Sequence, residues 1–242
     1  MKNDNKIYKK VIKTVLAKNK KDFCPLRKEH QMDYLFLALK KDFKQKNLRV
    51  LEAGCGYGRL IYYLNKFDPR QDYTGIDYMP ELLEQGRARF KQKNIHFVRR
   101  DLYNMPAKFH KYFDLTISYK TLSWLPGYEE VLKQLVKSTK NKIYVTSLFY
   151  DGDIDFITKV YVDATKNSKE YSYLNTYSLA KFKIFCRSLG IKKVKATNMK
   201  LDLDLPKPSV KKLRTYTRHS QDGRLEITGT TILNWKLIEL TL

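Results

Sequence analysis

The spacing of apolar residues changes along the chain, and each change predicts an element. Ile7, Val11, Ile12, Val15 and Leu16 recur at helical spacing with lysines on the other face, the pattern of an amphipathic basic helix. Pro25 interrupts it. A second amphipathic helix is predicted over about 29–43, with Leu35, Phe36, Leu39 and Phe43 turned inward. From residue 50 onward, short apolar runs of strand character alternate with helical periodicity. Strands are predicted at 50–52, 72–77, 95–98, 113–118, 142–149 and 191–196, and helices at 60–67, 81–92, 128–136 and 179–189. Strand–helix alternation of this kind builds a parallel sheet covered on both faces. The end of the chain reads differently: runs at 213–218 and 224–228 flank Gln221-Asp222-Gly223, a strong hairpin signal, and a last strand is predicted over 231–240.

Composition bounds the picture. At 242 residues and 43% hydrophobic content, the chain suits one α/β domain with a substantial core. No apolar run approaches the roughly 18–20 residues of a membrane span. The N-terminus is charged throughout and lacks a signal-peptide pattern, so a cytoplasmic location is expected. Cys24, Cys55 and Cys186 lie far apart, which argues against a disulfide framework or a zinc site. Asp151, Asp153 and Asp155 alternate as in a calcium loop but lack its glutamate and spacing, so a turn is expected there and no metal. His96 and His110 have no metal-like partner spacing.

The formal charge of +23 changes the list of partners. A basic surface attracts polyanions, so nucleic acid or an anionic membrane surface enters as a partner class. The charge is spread, however: residues 1–50 hold fifteen basic and five acidic residues, residues 181–220 twelve and two, and lysine predominates in both. A lysine-rich chain also arises from biased composition alone.

The candidate chemistry sits at 49–60, RVLEAGCGYGRL. A buried strand breaks into a turn with glycine at alternate positions, and a helix follows. Such a turn lets a ligand lie against bare peptide at a helix N-terminus. The dinucleotide fingerprint requires a third small residue where Arg59 stands. Glu52 ahead of the turn would repel a pyrophosphate, whereas a ligand carrying an ammonium and a sulfonium would tolerate it. Nineteen positions beyond Gly58, the second strand ends in Asp77. An acid placed there in a βαβ unit reaches the hydroxyls of a ribose held over the first turn, and its two oxygens accept both. Tyr78 and Met79 follow as an apolar wall. Asp101 comes just past the third strand; it reads either as a ligand-binding acid or as a surface partner of Arg99 or Arg100.

This ordered set resembles the class I S-adenosylmethionine (SAM) methyltransferases over about residues 48–150. The resemblance implies a Rossmann-like three-layer α/β sandwich, with a mostly parallel seven-stranded sheet and an antiparallel C-terminal strand. It implies SAM as cofactor. Glu52, Gly54, Cys55, Gly56 and Gly58 would hold the methionyl end, Asp77 the ribose with Tyr78 and Met79 beside it, and Asp101 with Leu102 the adenine. Ser118 would lie near the sulfonium. The segment 118–126 carries neither the Asn/Asp-Pro-Pro-aromatic sequence of amino-directed nucleic-acid enzymes nor a Pro-Cys nucleophile. It is similar to the small-molecule enzymes, which makes a metabolite, sugar or lipid precursor the expected acceptor and RNA or another nucleic acid the alternative. Tyr119, Trp124, Tyr150 and Tyr173 are the expected pocket walls, and no residue stands out as a general base. The expected organisation is a helical cap at 1–46 and a SAM-binding domain at 47–242, with an acceptor-side insertion at about 150–178 and a C-terminal hairpin at about 213–240. The cap would cover the cofactor, which gives Arg27 and Tyr34 a site-facing alternative, but a solvated or core role is the expected one for each.

Overall fold

A computed structural model of the chain describes residues 26, 28–161, 171–209, 215–221 and 223–242. The expected N-terminal basic helix, Arg27 and Cys24 lie outside those residues. The described part opens with helix α1 (Met32–Leu39), shorter than the predicted 29–43 because the helix gives way to a 3-10 turn at Asp42–Lys44. Then come β1 (Arg49–Ala53), α2 (Arg59–Phe67), β2 (Asp72–Asp77), α3 (Pro80–Arg89) and β3 (Ile95–Arg99). They are followed by β4 (Phe113–Tyr119), a 3-10 turn (Leu122–Trp124), α4 (Glu129–Ser138) and β5 (Thr139–Tyr150). Short strands β6 (Lys159–Tyr161), β7 (Tyr171–Tyr173) and β8 (Thr176–Ser178) precede α5 (Leu179–Ser188) and β9 (Lys193–Asn198). The chain closes with β10 (Thr215–Ser220), β11 (Gly223–Thr228), β12 (Thr231–Ile232) and β13 (Trp235–Thr241).

The main sheet runs β3-β2-β1-β4-β5-β13-β9, with β8 added beside the end of β5. The first five strands are mutually parallel, and β13 is antiparallel to both neighbours. Val50 and Leu51 show why the sheet needs helices on both faces. Adjacent on one strand, they point to opposite sides. Val50 enters a core with Leu35, Leu39, Ile61 and Leu64 of α1 and α2, and Leu51 one with Val131, Leu135 and Phe182 of α4 and α5. The result is the three-layer sandwich expected from the alternating pattern.

The C-terminal region departs from the prediction in one respect. Residues 231–240 do not form one strand. β10 and β11 pair antiparallel, with Ser220 opposite Gly223, and β12 joins them in a separate three-stranded sheet. Leu233 N–H donates to the Glu226 carbonyl, while Asn234 exchanges bonds with the Phe149 backbone on the main sheet. Two residues thus hand the chain from one sheet to the other. The apolar pair Ile232 and Leu233 carries straight into the apolar positions of β13, with no glycine or proline to mark the step.

Candidate functional site

In the order β3-β2-β1-β4-β5, the chain reverses direction between β1 and β4. Parallel strands put all their C-terminal ends on one edge, and at such a reversal the flanking loops splay apart into a crevice. The glycine turn 54–58 leaves β1 at that point. Gly54, Gly56 and Gly58 all have positive φ, of 78°, 54° and 83°. Their surroundings differ. A Cβ on Gly54 would run into the Thr121 side chain, so that glycine serves packing between β1 and the loop after β4. A Cβ on Gly56 would meet only Leu82 Cδ1 at 4.0 Å, leaving bare peptide beside open space. Gly58 caps α2 and starts the helix whose free N–H groups face the edge. Cys55 is buried; its Sγ lies 3.5 Å from the Gly56 carbonyl and crowds Gly75, and burial pushes its thiol well up, out of range for a nucleophile.

Glu52 is the unusual residue. It is buried at 4% exposure, faces the α2 side of the sheet with its register partner Ile117, and its Oε2 has no hydrogen-bond partner. Burial pushes its carboxyl well above the usual range; Arg59 opposes this, Asp77 adds to it, and the Ile61 backbone N–H opposes it weakly. An orphaned, buried acid beside a bare-peptide turn is incomplete in isolation: leaving such a group unmatched is costly, and a cationic ligand group would complete it.

Asp77, at the end of β2, is already engaged. Its Oδ2 accepts from Gly56 N–H at 2.8 Å and its Oδ1 from Met79 N–H at 2.9 Å. Burial raises its pKa, and bonds from the Met79, Gly56 and Tyr78 backbone oppose the rise. The carboxylate therefore ties the glycine turn to the start of α3, and each oxygen retains a second lone pair for a ligand hydroxyl. Met79 is fully buried, with Tyr78 beside the Arg99 guanidinium at 5.8 Å. Asp101 forms a local turn, accepting from Tyr103 N–H at 2.9 Å. Arg99 is turned to Tyr78, and Arg100 donates to the Arg99 carbonyl. Tyr78, Arg99, Arg100, Asp101 and Asn104 line an open cleft, while Leu102 drops into the core. Ser118 is buried with its Oγ unpartnered, on the sheet face opposite Glu52, since it follows that residue's register partner.

The four expected wall residues divide. Tyr119 is buried and its hydroxyl donates to Glu29 Oε2 at 2.9 Å. Trp124 and Tyr150 are 40% and 43% exposed, and Tyr150 packs edge-on against Phe156 at 5.4 Å. Tyr173 lies against Tyr171 on the β6–β7 ribbon. That region is tied to the turn after β4: Asn175 N–H donates to the Ser123 carbonyl and its side chain to the Leu125 carbonyl, both at 2.8 Å. Tyr34 packs against the core, and its hydroxyl accepts from Lys200 N–H. Asp151 meets Lys236 and Asp155 meets Lys181 and Ser178 N–H, so these aspartates anchor a turn.

Sequence reasoning missed a charged cluster at the same edge. Glu29 accepts from Arg59 through Oε1 and from Lys120 Nζ through Oε2 at 2.7 Å, in addition to Tyr119. Burial would raise the Glu29 pKa, but Lys120 and Arg59 outweigh it and hold the carboxyl below its usual range. Lys120 also reaches Gln31 Oε1 at 3.2 Å and lies 4.7 Å from the Trp235 ring. Gln31 in turn donates to both oxygens of Glu226 on β11. Arg59 stood out in the sequence only as an obstacle to dinucleotide binding, and nothing local linked Glu29 to residues thirty and ninety positions away.

Comparison with known proteins bears on the same region. Residues 50–142 match the family model of a methyltransferase domain. The malonyl-[acyl-carrier protein] O-methyltransferase of Acetivibrio thermocellus is 29% identical over 136 residues, 56% of this chain and 47% of that protein. The chain thus spans about half the length of that curated relative. Among solved structures, the complex of the Haloferax volcanii Trm112 methyltransferase activator with a putative methyltransferase aligns over 88% of both chains, with TM-score 0.62 and 14% identity. Magnesium protoporphyrin IX methyltransferase of Synechocystis PCC 6803, with bound SAM, aligns over 88% of this chain and 79% of its own, with TM-score 0.53 and 14% identity. The sequence match falls on the strands that carry the glycine turn, the fold match extends well beyond them, and residues 50–142 are a methyltransferase domain set in the Rossmann-like fold of SAM-dependent methyltransferases.

Proposed function

We propose that this chain binds SAM at the β1–β4 reversal and transfers its methyl group to a small-molecule acceptor, a metabolite, sugar or lipid precursor, in the cytoplasm. The observation that carries the reading is Glu52: a buried carboxylate oxygen without a partner, beside the open peptide face of Gly56 and one strand from Asp77. These residues fit the cofactor's chemistry. Glu52 matches an ammonium, Asp77 the ribose hydroxyls, and Asp101 with the Leu102 N–H an adenine edge, flanked by Tyr78 and Met79. Cys55 supplies backbone to the turn, and Ser118 stands at the strand end toward the methyl. SAM brings a methyl group already made electrophilic by its sulfonium.

The chain's own part is then alignment and exclusion of water, and well-oriented reactants gain on the order of 7–11 kcal/mol. No general base is assigned, and none is needed if the nucleophile is already deprotonated. One relative is named for malonyl-[acyl-carrier protein], whose malonyl group ends in a carboxylate, and another for phthiotriol dimycocerosates, which supports a small or lipid-precursor acceptor here. We assign residues 1–46 as an N-terminal cap, 47–242 as the SAM domain, 150–178 as an acceptor-side insertion and 213–240 as the C-terminal hairpin region. No helix among the described residues is long and apolar enough to cross a membrane. Calorimetric titration with S-adenosylhomocysteine tests the cofactor. Labelled SAM incubated with fractionated host extract tests the acceptor: label in small metabolites or lipid precursors is expected, and label in RNA would replace that assignment.

A further inference from the structure

At the edge where the glycine turn lies, Glu29 is held by three donors from two other elements. Arg59 begins α2; Tyr119 ends β4 and Lys120 follows it. All three converge on the one carboxylate. Glu29 itself lies outside regular structure, just ahead of α1, on a segment connected to the rest of the edge by side-chain bonds. Lys120 adopts φ 54°, a left-handed conformation uncommon for a residue other than glycine, and so leaves the strand with its ammonium over Trp235 and toward Glu29. Two cations and a phenol thus surround one negative group, with two further acids nearby: Glu226, bonded to Gln31, and the buried Glu52, within electrostatic reach of Arg59.

Resting on the methyltransferase reading above, we infer that Arg59, Lys120 and Tyr119 form a carboxylate-binding cradle for the acceptor, which Glu29 fills when no acceptor is present. A guanidinium, an ammonium and a hydroxyl all donate and none accepts in this geometry, so the cradle selects an anion with at least two acceptor oxygens. Withdrawing Glu29 takes from Arg59 and Lys120 the carboxylate they both bond, while Glu226 stays with Gln31 and Glu52 stays buried, and an incoming carboxylate restores those bonds. The buried Trp235 ring beside Lys120 offers an apolar wall for the chain that bears the carboxylate. An acceptor of this class arrives deprotonated at neutral pH, which agrees with a site where no general base has been found.

The test uses the full chain and two probes of equal size, hexanoate and its uncharged counterpart hexanamide. Wild-type protein is first titrated with S-adenosylhomocysteine by calorimetry. Protein with and without that ligand is then titrated with each probe while tryptophan emission is followed. Hexanoate is expected to bind at least tenfold more tightly than hexanamide. Glu29→Gln should tighten hexanoate at least threefold by removing the internal competitor, and Lys120→Met should weaken it at least tenfold. Adenosylhomocysteine affinity should stay within twofold in both variants. Equal binding of the two probes, failure of either to bind, or a hexanoate affinity indifferent to Lys120→Met would overturn the inference. A tenfold loss of adenosylhomocysteine in Lys120→Met would overturn it too, by giving the cradle to the cofactor's own carboxylate. Lys120→Gln serves in place of the methionine variant if circular dichroism shows that variant unfolded. Failure of the wild type to bind adenosylhomocysteine would instead remove the methyltransferase reading, a separate readout from the hexanoate preference.

Discussion

Replacing Glu52 by glutamine should move stability in opposite directions with and without ligand. In the free protein, Glu52 Oε2 is buried without a partner, and burial raises the carboxyl's proton affinity. An unmatched buried polar group costs roughly 1–3 kcal/mol, and more when charged. The neutral amide removes the charge but leaves one N–H unmatched, so a gain of about 1–2 kcal/mol is expected, or ~2–8 °C in melting temperature for a domain of this size. The sign with pH follows. A carboxyl whose folded pKa is raised destabilises the fold above its unfolded pKa, near 4.5, and the penalty vanishes as pH falls below that value. The variant's advantage should therefore be larger at pH 8 than at pH 5. Saturating ligand reverses the comparison. At a hundredfold excess over Kd, wild type gains about 2.7 kcal/mol from adenosylhomocysteine. Losing a charge-assisted bond of about 2 kcal/mol weakens binding ~30-fold, so the variant at the same concentration gains only about 0.8 kcal/mol. Thermal melts of both proteins, with and without ligand, at the two pH values read all of this. Equal ligand-induced shifts, or a free variant less stable than wild type, would refute the role given to Glu52.

Asp77→Asn should weaken adenosylhomocysteine at least tenfold in calorimetry; it should also lower stability by about 1–3 kcal/mol in urea, because Asp77 holds the Gly56 and Met79 N–H groups in the free protein. Unchanged affinity would remove it from the cofactor site. Gly56→Ala should cost about 1–2 kcal/mol from its left-handed backbone alone, since its surroundings are open, and should abolish ligand-induced stabilisation. Asp68 is held at about 2 by its bonds to Arg70, against burial, and its pKa is thus depressed from 3.8. Its contribution is present above pH 4 and should be lost as pH falls toward 2, and Asp68→Asn should flatten that limb of an acid-unfolding curve. If the +23 charge serves nucleic acid, RNA affinity should fall steeply between 50 and 200 mM salt. Binding indifferent to salt would leave the charge without that role.

The sheet and its reversal point were legible because β1, β2 and β4 each carry a short apolar run followed by helical spacing, because β3 and β5 carry apolar runs of strand length, and because Glu52, Gly56 and Asp77 stand out by type and separation along one βαβ unit. The acceptor side was not. Glu29, Arg59 and Lys120 meet only after the chain has crossed the sheet, and charge pairing of that kind leaves no periodic trace. Asp77 stood out in the sequence as a candidate ligand residue, and its bonds to Gly56 and Met79 depend on how the turn packs against α3 and appear only in three dimensions. The break at Leu233–Asn234 was hidden for a related reason: the apolar pair Ile232 and Leu233 runs on into the apolar positions of β13 with no glycine or proline to mark the step.

The interior place of β13 shapes how the protein must assemble and how it comes apart. β9 lies at the sheet's edge and pairs with β13, whose residues follow their β9 partners by 38 to 48 positions; β13 pairs in turn with β5, whose residues lie 87 to 99 positions before theirs. The parallel half, β3-β2-β1-β4-β5, comes from one continuous stretch, residues 49–150, and can assemble before the rest of the sheet. β9 has no strand to dock on until the chain returns as β13, so the antiparallel flank joins late and as one unit. In native-state hydrogen exchange, amides of β9 and β13 should open together, at a lower free energy than those of β1 and β4.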